Sequence, residues 1–127
     1  MKTKVMFALV GIVALVVGCA SIPQRDLSSV PQSTIIDASK VRVFTVENSS
    51  YPKNFELLGE ITAYSAKKLM TDPPASKGDA LKRLQIEAVE KGANGIINVT
   101  FDVRGTDTWG TGCWETVQAS GSAVRFK

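Results

Sequence analysis

Along residues 97–103 the side chains alternate, with Ile97, Val99, Phe101 and Val103 apolar and Asn98, Thr100 and Asp102 polar. A period of two with one apolar set predicts a strand whose other face is wet. Residues 55–66 carry a similar pattern, with Leu57, Gly59, Ile61 and Ala63 in one set and Glu60, Thr62 and Tyr64 in the other. They read as a second strand. Val41-Arg42-Val43-Phe44-Thr45-Val46 is short and β-branched, a strand by composition, and Asn48-Ser49-Ser50-Tyr51-Pro52 breaks it. A last strand is expected over residues 116–126, where Ala119, Gly121 and Ala123 place small residues on one face. Ala119 and Ala123 make room there for a helix.

The period becomes helical between Asp79 and Lys91. Leu81, Leu84, Ile86, Ala88 and Val89 cover an arc of about 200°, wide enough to lie flat on a sheet. Ser76 followed by Asp79 fits a capping-box start, and Gly92 is placed as the glycine that ends the helix in a left-handed conformation. Thr71-Asp72-Pro73-Pro74 is a rigid loop before the helix, and residues 105–112 form a loop rich in glycine and threonine. The strand–helix–strand stretch from 57 to 103 is expected to cross over right-handed, with its two strands parallel. The 103–116 connection is a hairpin. The fold class is α/β in its α+β form: one helix packed on a mixed sheet of about four strands, in a single small domain over residues 40–127.

Ahead of the domain, Lys2 and Lys4 precede an apolar run of 13 residues, Val5 to Val17. That is short of the roughly 20 residues a helix needs to cross a bilayer. A basic start, a short apolar core and a small residue before the cut read as a secretory signal over residues 1–18. Leu15-Val16-Val17-Gly18-Cys19 resembles the bacterial lipobox, in which the thiol receives a diacylglycerol and the freed amine an acyl chain such as palmitate. Several acyl chains on Cys19 give stable anchoring where one gives reversible binding. Ala20 and Ser21 follow, with no aspartate after the cysteine, which resembles an outer-membrane address. Residues 20–39 hold five serines and two prolines without a regular period. With Cys19 they read as a lipidated, flexible tether, spanning roughly 25 Å as a coil and about 65 Å when stretched. Ile35-Ile36 is its apolar pair and is placed to dock on the domain.

Removal of residues 1–18 leaves 109, enough for one small domain. Without Lys2 and Lys4 the chain has 13 basic and 12 acidic residues, so nucleic-acid binding has no electrostatic support. An exported chain meets an oxidising compartment, yet Cys19 is taken by lipid and Cys113 has no intrachain partner, so no disulfide is expected. There is no histidine, which removes the commonest general base and metal ligand at neutral pH. The acids sit at turns and on polar faces, among them Glu87, Glu90, Asp102, Asp72 and Asp107, and Glu60 and Glu87 do not converge. No catalytic residues, metal site, cofactor or small-molecule substrate are expected.

Three features invite a contact role. Trp109 lies mid-loop beside glycine, either a partner-contact tip or folded back over the sheet edge. Trp114 follows Cys113 at the loop's end and is the second candidate contact. Cys113 is either a small buried thiol or a partner-linked one. Nothing basic lies within four residues of it to favour the thiolate, so an inert cysteine is expected. Lys67-Lys68 reads as a solvated strand end.

The run Asp79-Ala-Leu-Lys-Arg-Leu-Gln-Ile-Glu-Ala-Val-Glu-Lys-Gly-Ala-Asn94 resembles the RcsF-type outer-membrane lipoproteins of the Rcs envelope-stress phosphorelay. The resemblance extends from about Val41 through Lys127 and includes Val41-Arg42-Val43, Leu58-Gly59-Glu60, Gly112-Cys113 and Gly121-Ser122-Ala123. It implies an envelope-stress sensor held in the outer membrane by its lipid anchor, its domain in the periplasm or at the cell surface. It also implies protein partners: an inner-membrane Rcs regulator and outer-membrane barrel proteins. The alternative is a structural or accessory lipoprotein that uses the same domain without the relay. Domains of this type carry two disulfides, whose positions read here Phe101 with Ala119 and Ala66 with Cys113. The first bridge is lost at both ends, which leaves Phe101 to refill the space beside Ala119, and Cys113 is the remnant of the second. The tether is shorter and poorer in proline than is usual for the type. The fold also resembles a wider group of small proteins labelled heavy-metal binding, although a chain without histidine and with one spare thiol is poorly equipped to hold a metal.

Overall fold

One run too short to stand alone, the four residues Arg42–Thr45, becomes a strand by pairing with the longer Gly95–Arg104. The computed structural model describes residues 24–67, 71–104 and 115–127. Its strands are β1 (Arg42–Thr45), β2 (Phe55–Lys67), β3 (Gly95–Arg104) and β4 (Glu115–Phe126), with helices α1 (Gln32–Ser39) and α2 (Lys77–Glu90) and one 3-10 turn (Leu27–Ser29). The sheet order is β1-β3-β4-β2. β1 runs parallel to β3, while β4 is antiparallel to both β3 and β2. The strands flanking α2 are therefore parallel, as the crossover predicts, but β4 lies between them. The hairpin between β3 and β4 is present, with Arg104 opposite Thr116.

α2 lies across one face of the sheet. Ala80, Leu84 and Ala88 meet Ile61, Ala63, Ile96, Val99, Ala119 and Ala123 in the main core. Ala119 and Ala123 are fully buried beneath the helix, the role their size predicts. The helix ends are closed as the sequence indicates. Ser76 Oγ accepts the N–H of Asp79 at 3.0 Å. The reciprocal bond of a capping box is supplied from β2, where Ser65 Oγ accepts the N–H of Ser76, and the Asp79 carboxylate turns to Arg83. At the other end Gly92 has φ +82°, its N–H reaching Val89 O and that of Ala93 reaching Ala88 O, a pattern that satisfies the last carbonyls.

Two bulges set which residues face the helix. The β2–β4 register slips between Leu57 and Gly59, so Leu58 joins the core. Leu57, expected on the inward set, is 61 % exposed. In β3 the register slips between Ile97 and Thr100 at Asn98, whose φ is +56°. An extra residue in one strand reverses the alternation beyond it. Ile97 thus points away from the helix into a cluster with Phe44 and Val124, while Ile96, Val99 and Phe101 belong to the main core. Val103, at the strand's far end, is exposed.

Residues 24–39 differ from the expected free tether. The 3-10 turn and α1 lie against the outer side of α2, with Val30 and Ala38 buried over Ile86 and with Leu27, Ile35 and Val89 beside them. Ile35 docks and Ile36 is exposed. Among the described residues the architecture is the expected helix on a four-stranded mixed sheet, with a short second helix added on the outer side of α2. The wide apolar arc of α2 has two partners: Leu84 serves the sheet and Ile86 serves α1.

Candidate functional site

Among the described residues no helix covers the face of the sheet opposite α2. Because side chains alternate across a strand, the residues between the core positions form cross-strand rows there. Thr100, Ser120 and Thr62 are opposite one another, as are Asp102, Gln118 and Tyr64. Thr62 Oγ1 and Ser120 Oγ lie 3.2 Å apart, and Gln118 Nε2 reaches Ser120 Oγ at 3.4 Å. The next row holds Ile97, Ser122 and Glu60, with the Ser122 hydroxyl donating to the Glu60 carboxylate. Beyond it an aromatic pile closes one end: Phe44, Tyr51, Phe55 and Phe126 meet edge to face with centroids 5.6–6.2 Å apart. The Arg42 guanidinium lies 5.3 Å from the Phe44 ring and 5.2 Å from that of Phe126.

This surface is hydroxyl- and amide-rich, and its acids are already engaged. Asp102 pairs with Arg104 at 3.4 Å and Glu60 with Ser122. Among the described residues two groups have displaced pKa values, and both lie in the N-terminal segment. The hydrogen bond to Glu90 raises that of Arg25, and the Ser28 N–H holds the Asp26 carboxyl below the usual aspartate range. Neither faces a cleft with a nucleophile. Such a face is suited to recognition by hydrogen bonding and stacking.

Of the residues singled out from the sequence, Cys19, Trp109, Cys113 and Trp114 lie outside the described residues. Among those described, Phe101 and Ala119 are direct cross-strand partners. Phe101 is half-buried against the main core, with Lys77 Nζ 5.6 Å from its ring. Ala66 is buried, opposite Thr116, and its N–H donates to Gln24 Oε1. Sequence reading anticipated docking at Ile35-Ile36, of which Ile35 docks, and missed the rest of the contact of residues 24–39 with α2. Its signal was the surplus width of the α2 apolar arc together with Leu27, Val30, Ile35 and Ala38.

A family described as "Putative heavy-metal-binding", YbjQ_1, matches residues 33–127, beginning inside α1. Outer membrane lipoprotein RcsF of Escherichia coli strain K12 is 34 % identical over 90 residues, which is 70 % of this chain and 64 % of the relative. The same protein from Escherichia coli O6:H1 matches equally. This chain thus spans less than two thirds of the curated relatives it matches. A solved protein of unknown function from Pediococcus pentosaceus, of the DUF74 family, superposes with TM-score 0.51 at 14 % identity, covering 68 % of this chain and 98 % of that one. It shares the fold.

The family description raises a heavy metal, and the donor set does not fit one. Soft metals are held by thiolate and imidazole, whereas this sequence has no histidine and two cysteines. Among the described residues no three His, Cys, Asp or Glu side chains gather as a metal site. The match itself runs from α1 through β4, across every described layer of the fold, and on that extent the chain belongs to the YbjQ_1 family.

Proposed function

We propose that this protein is an outer-membrane lipoprotein, anchored through acylated Cys19, that senses envelope stress and signals to the Rcs phosphorelay by protein contact. The observation that carries this reading is the similarity to outer membrane lipoprotein RcsF over 70 % of the chain. The lipobox-like Leu15–Cys19 stretch supports the anchor. No helix among the described residues is long and apolar enough to cross a membrane. The domain's open polar face and its aromatic end offer a contact surface for an inner-membrane regulator or an outer-membrane barrel protein, and Trp109 and Trp114 are the candidate contacts on the β3–β4 loop. The protein acts by binding, not by catalysis.

Ala66, Phe101 and Ala119 stand at positions where the RcsF-type resemblance implies paired cysteines, which favours a second reading, an accessory lipoprotein that keeps the domain and not the relay. Overexpression in cells carrying an Rcs-dependent reporter separates the two. Induction that is lost when the relay is deleted supports signalling, and an unchanged reporter with the protein present in outer-membrane fractions overturns it.

A further inference from the structure

Residues 24–39 are held by polar contacts with α2 and the end of β2 on one side and by apolar contacts with α2 on the other. Gln24 accepts the Ala66 N–H, and Arg25 pairs with Glu90 and lies 4.0 Å from Glu87. The Arg83 guanidinium donates to the Arg25 carbonyl oxygen. Leu27, Val30, Ile35 and Ala38 then cover Ile86 and Val89. We propose that this segment is a releasable latch that sets how far the domain stands from its lipid anchor. The proposal rests on the reading of Cys19 as the acylated residue.

The arithmetic of the chain gives the latch its effect. With the segment docked, five residue steps separate Cys19 from Gln24, which limits the reach to about 18 Å. With it released, the free chain runs to Lys40, and the limit rises to about 70 Å. The domain is held against the lipid surface in one state and extends well away from it in the other.

Release leaves the main core intact. None of Leu27, Val30, Ile35 and Ala38 belongs to the cluster of Leu84, Ile96, Ala119 and Ala123; of the residues they cover, Ile86 lies outside that cluster and Val89 packs against both. Exposed ion pairs such as those of Arg25 hold weakly and are screened by salt. Segments with few buried contacts open locally well before a domain unfolds. α1 has eight residues, too few to persist as an isolated helix, so release also converts it into extended tether. The same event uncovers Ile86 and Val89 on α2.

The test uses the full lipidated chain on a supported bilayer of phosphatidylethanolamine and phosphatidylglycerol. Neutron reflectometry measures domain height, and amide hydrogen exchange measures protection of residues 32–39. The wild type should lie directly on the bilayer, with residues 32–39 exchanging at least about tenfold slower than a free peptide. Arg25→Glu combined with Val30→Asp places a third carboxylate beside Glu87 and Glu90 and a charge over Ile86. In that variant residues 32–39 should exchange freely while β3 and α2 keep their protection, and a solvent gap of roughly 20 Å should open. Free exchange of residues 32–39 in the wild type, or the same height in both proteins, overturns the latch. Protein that washes off the bilayer with residues 32–39 still protected overturns the lipid reading and the reach that depends on it, a result distinct from loss of docking.

Discussion

Phe101 on β3 faces Ala119 on β4 in direct register, a large ring beside a fully buried methyl group. The ring is half-buried, one side on the main core and the other toward Lys77. Phe101→Ala should therefore cost about 2 kcal/mol, below the 3–5 kcal/mol typical of a fully enclosed aromatic. Urea denaturation measures it, and a loss below about 0.5 kcal/mol would mean that the ring contributes no packing. The double substitution Phe101→Cys with Ala119→Cys should oxidise to a disulfide, because opposed strand positions lie within bridging distance. A non-reducing gel reads its formation.

Gly121 lies opposite the β3 bulge, where a Cβ would come within 2.7 Å of Ile96 Cγ2 and 3.1 Å of the Ile97 carbonyl oxygen. The backbone oxygen cannot swing aside as a side chain could. Gly121→Ala should lower stability by about 1–3 kcal/mol through overpacking. A thermal midpoint equal to that of the wild type would show that β3 shifts freely at this point.

Asn98 holds φ +56° at the same bulge. Asparagine tolerates the left-handed region and a β-branched residue does not. Asn98→Gly should leave stability within about 0.5 kcal/mol, and Asn98→Val should cost about 1–2 kcal/mol. Equal effects of the two, measured by chemical denaturation, would remove backbone strain as the cause.

Ser76 and Ser65 close the start of α2 together. Ser76→Ala should cost about 1 kcal/mol, the usual value of a lost N-cap. Ser65→Ala, which leaves the Ser76 N–H without its β2 partner, should cost a comparable amount, about 1 kcal/mol. Circular dichroism during denaturation reads both.

Asp26 caps the 3-10 turn through its carboxylate, which accepts from the Ser28 N–H at 3.0 Å and the Ser28 hydroxyl at 2.8 Å. These bonds hold its pKa below the usual aspartate range. A depressed carboxyl contributes stability above its unfolded pKa and loses it as pH falls through the folded value. Protection of the N-terminal segment should therefore be constant near neutrality and decline on acidification below the ordinary aspartate range. Asp26→Asn should flatten that decline in a hydrogen-exchange titration, and an equally steep decline in the variant would assign it to another group.

The sequence alone determined the strands, the long helix and its closures, because these depend on short-range causes. Ser76 and Gly92 act on their own helix ends, and the apolar period of residues 79–91 is written in consecutive positions. The small residues Ala119 and Ala123 likewise announced the face that receives a helix. Tertiary structure decided what local pattern leaves open. Strict alternation placed Leu57 and Ile97 inward, and single-residue bulges at Leu58 and Asn98 turned them out, since each added residue reverses the faces beyond it. The position of β4 between β2 and β3 follows from long-range pairing that no single segment encodes. Residues 24–39 read as a tether because an eight-residue helix has too few turns to show a period or to stand alone. It forms because α2 offers Ile86 and Val89 beside the sheet-facing Leu84, and burial against that second stripe stabilises a helix that its own sequence leaves marginal.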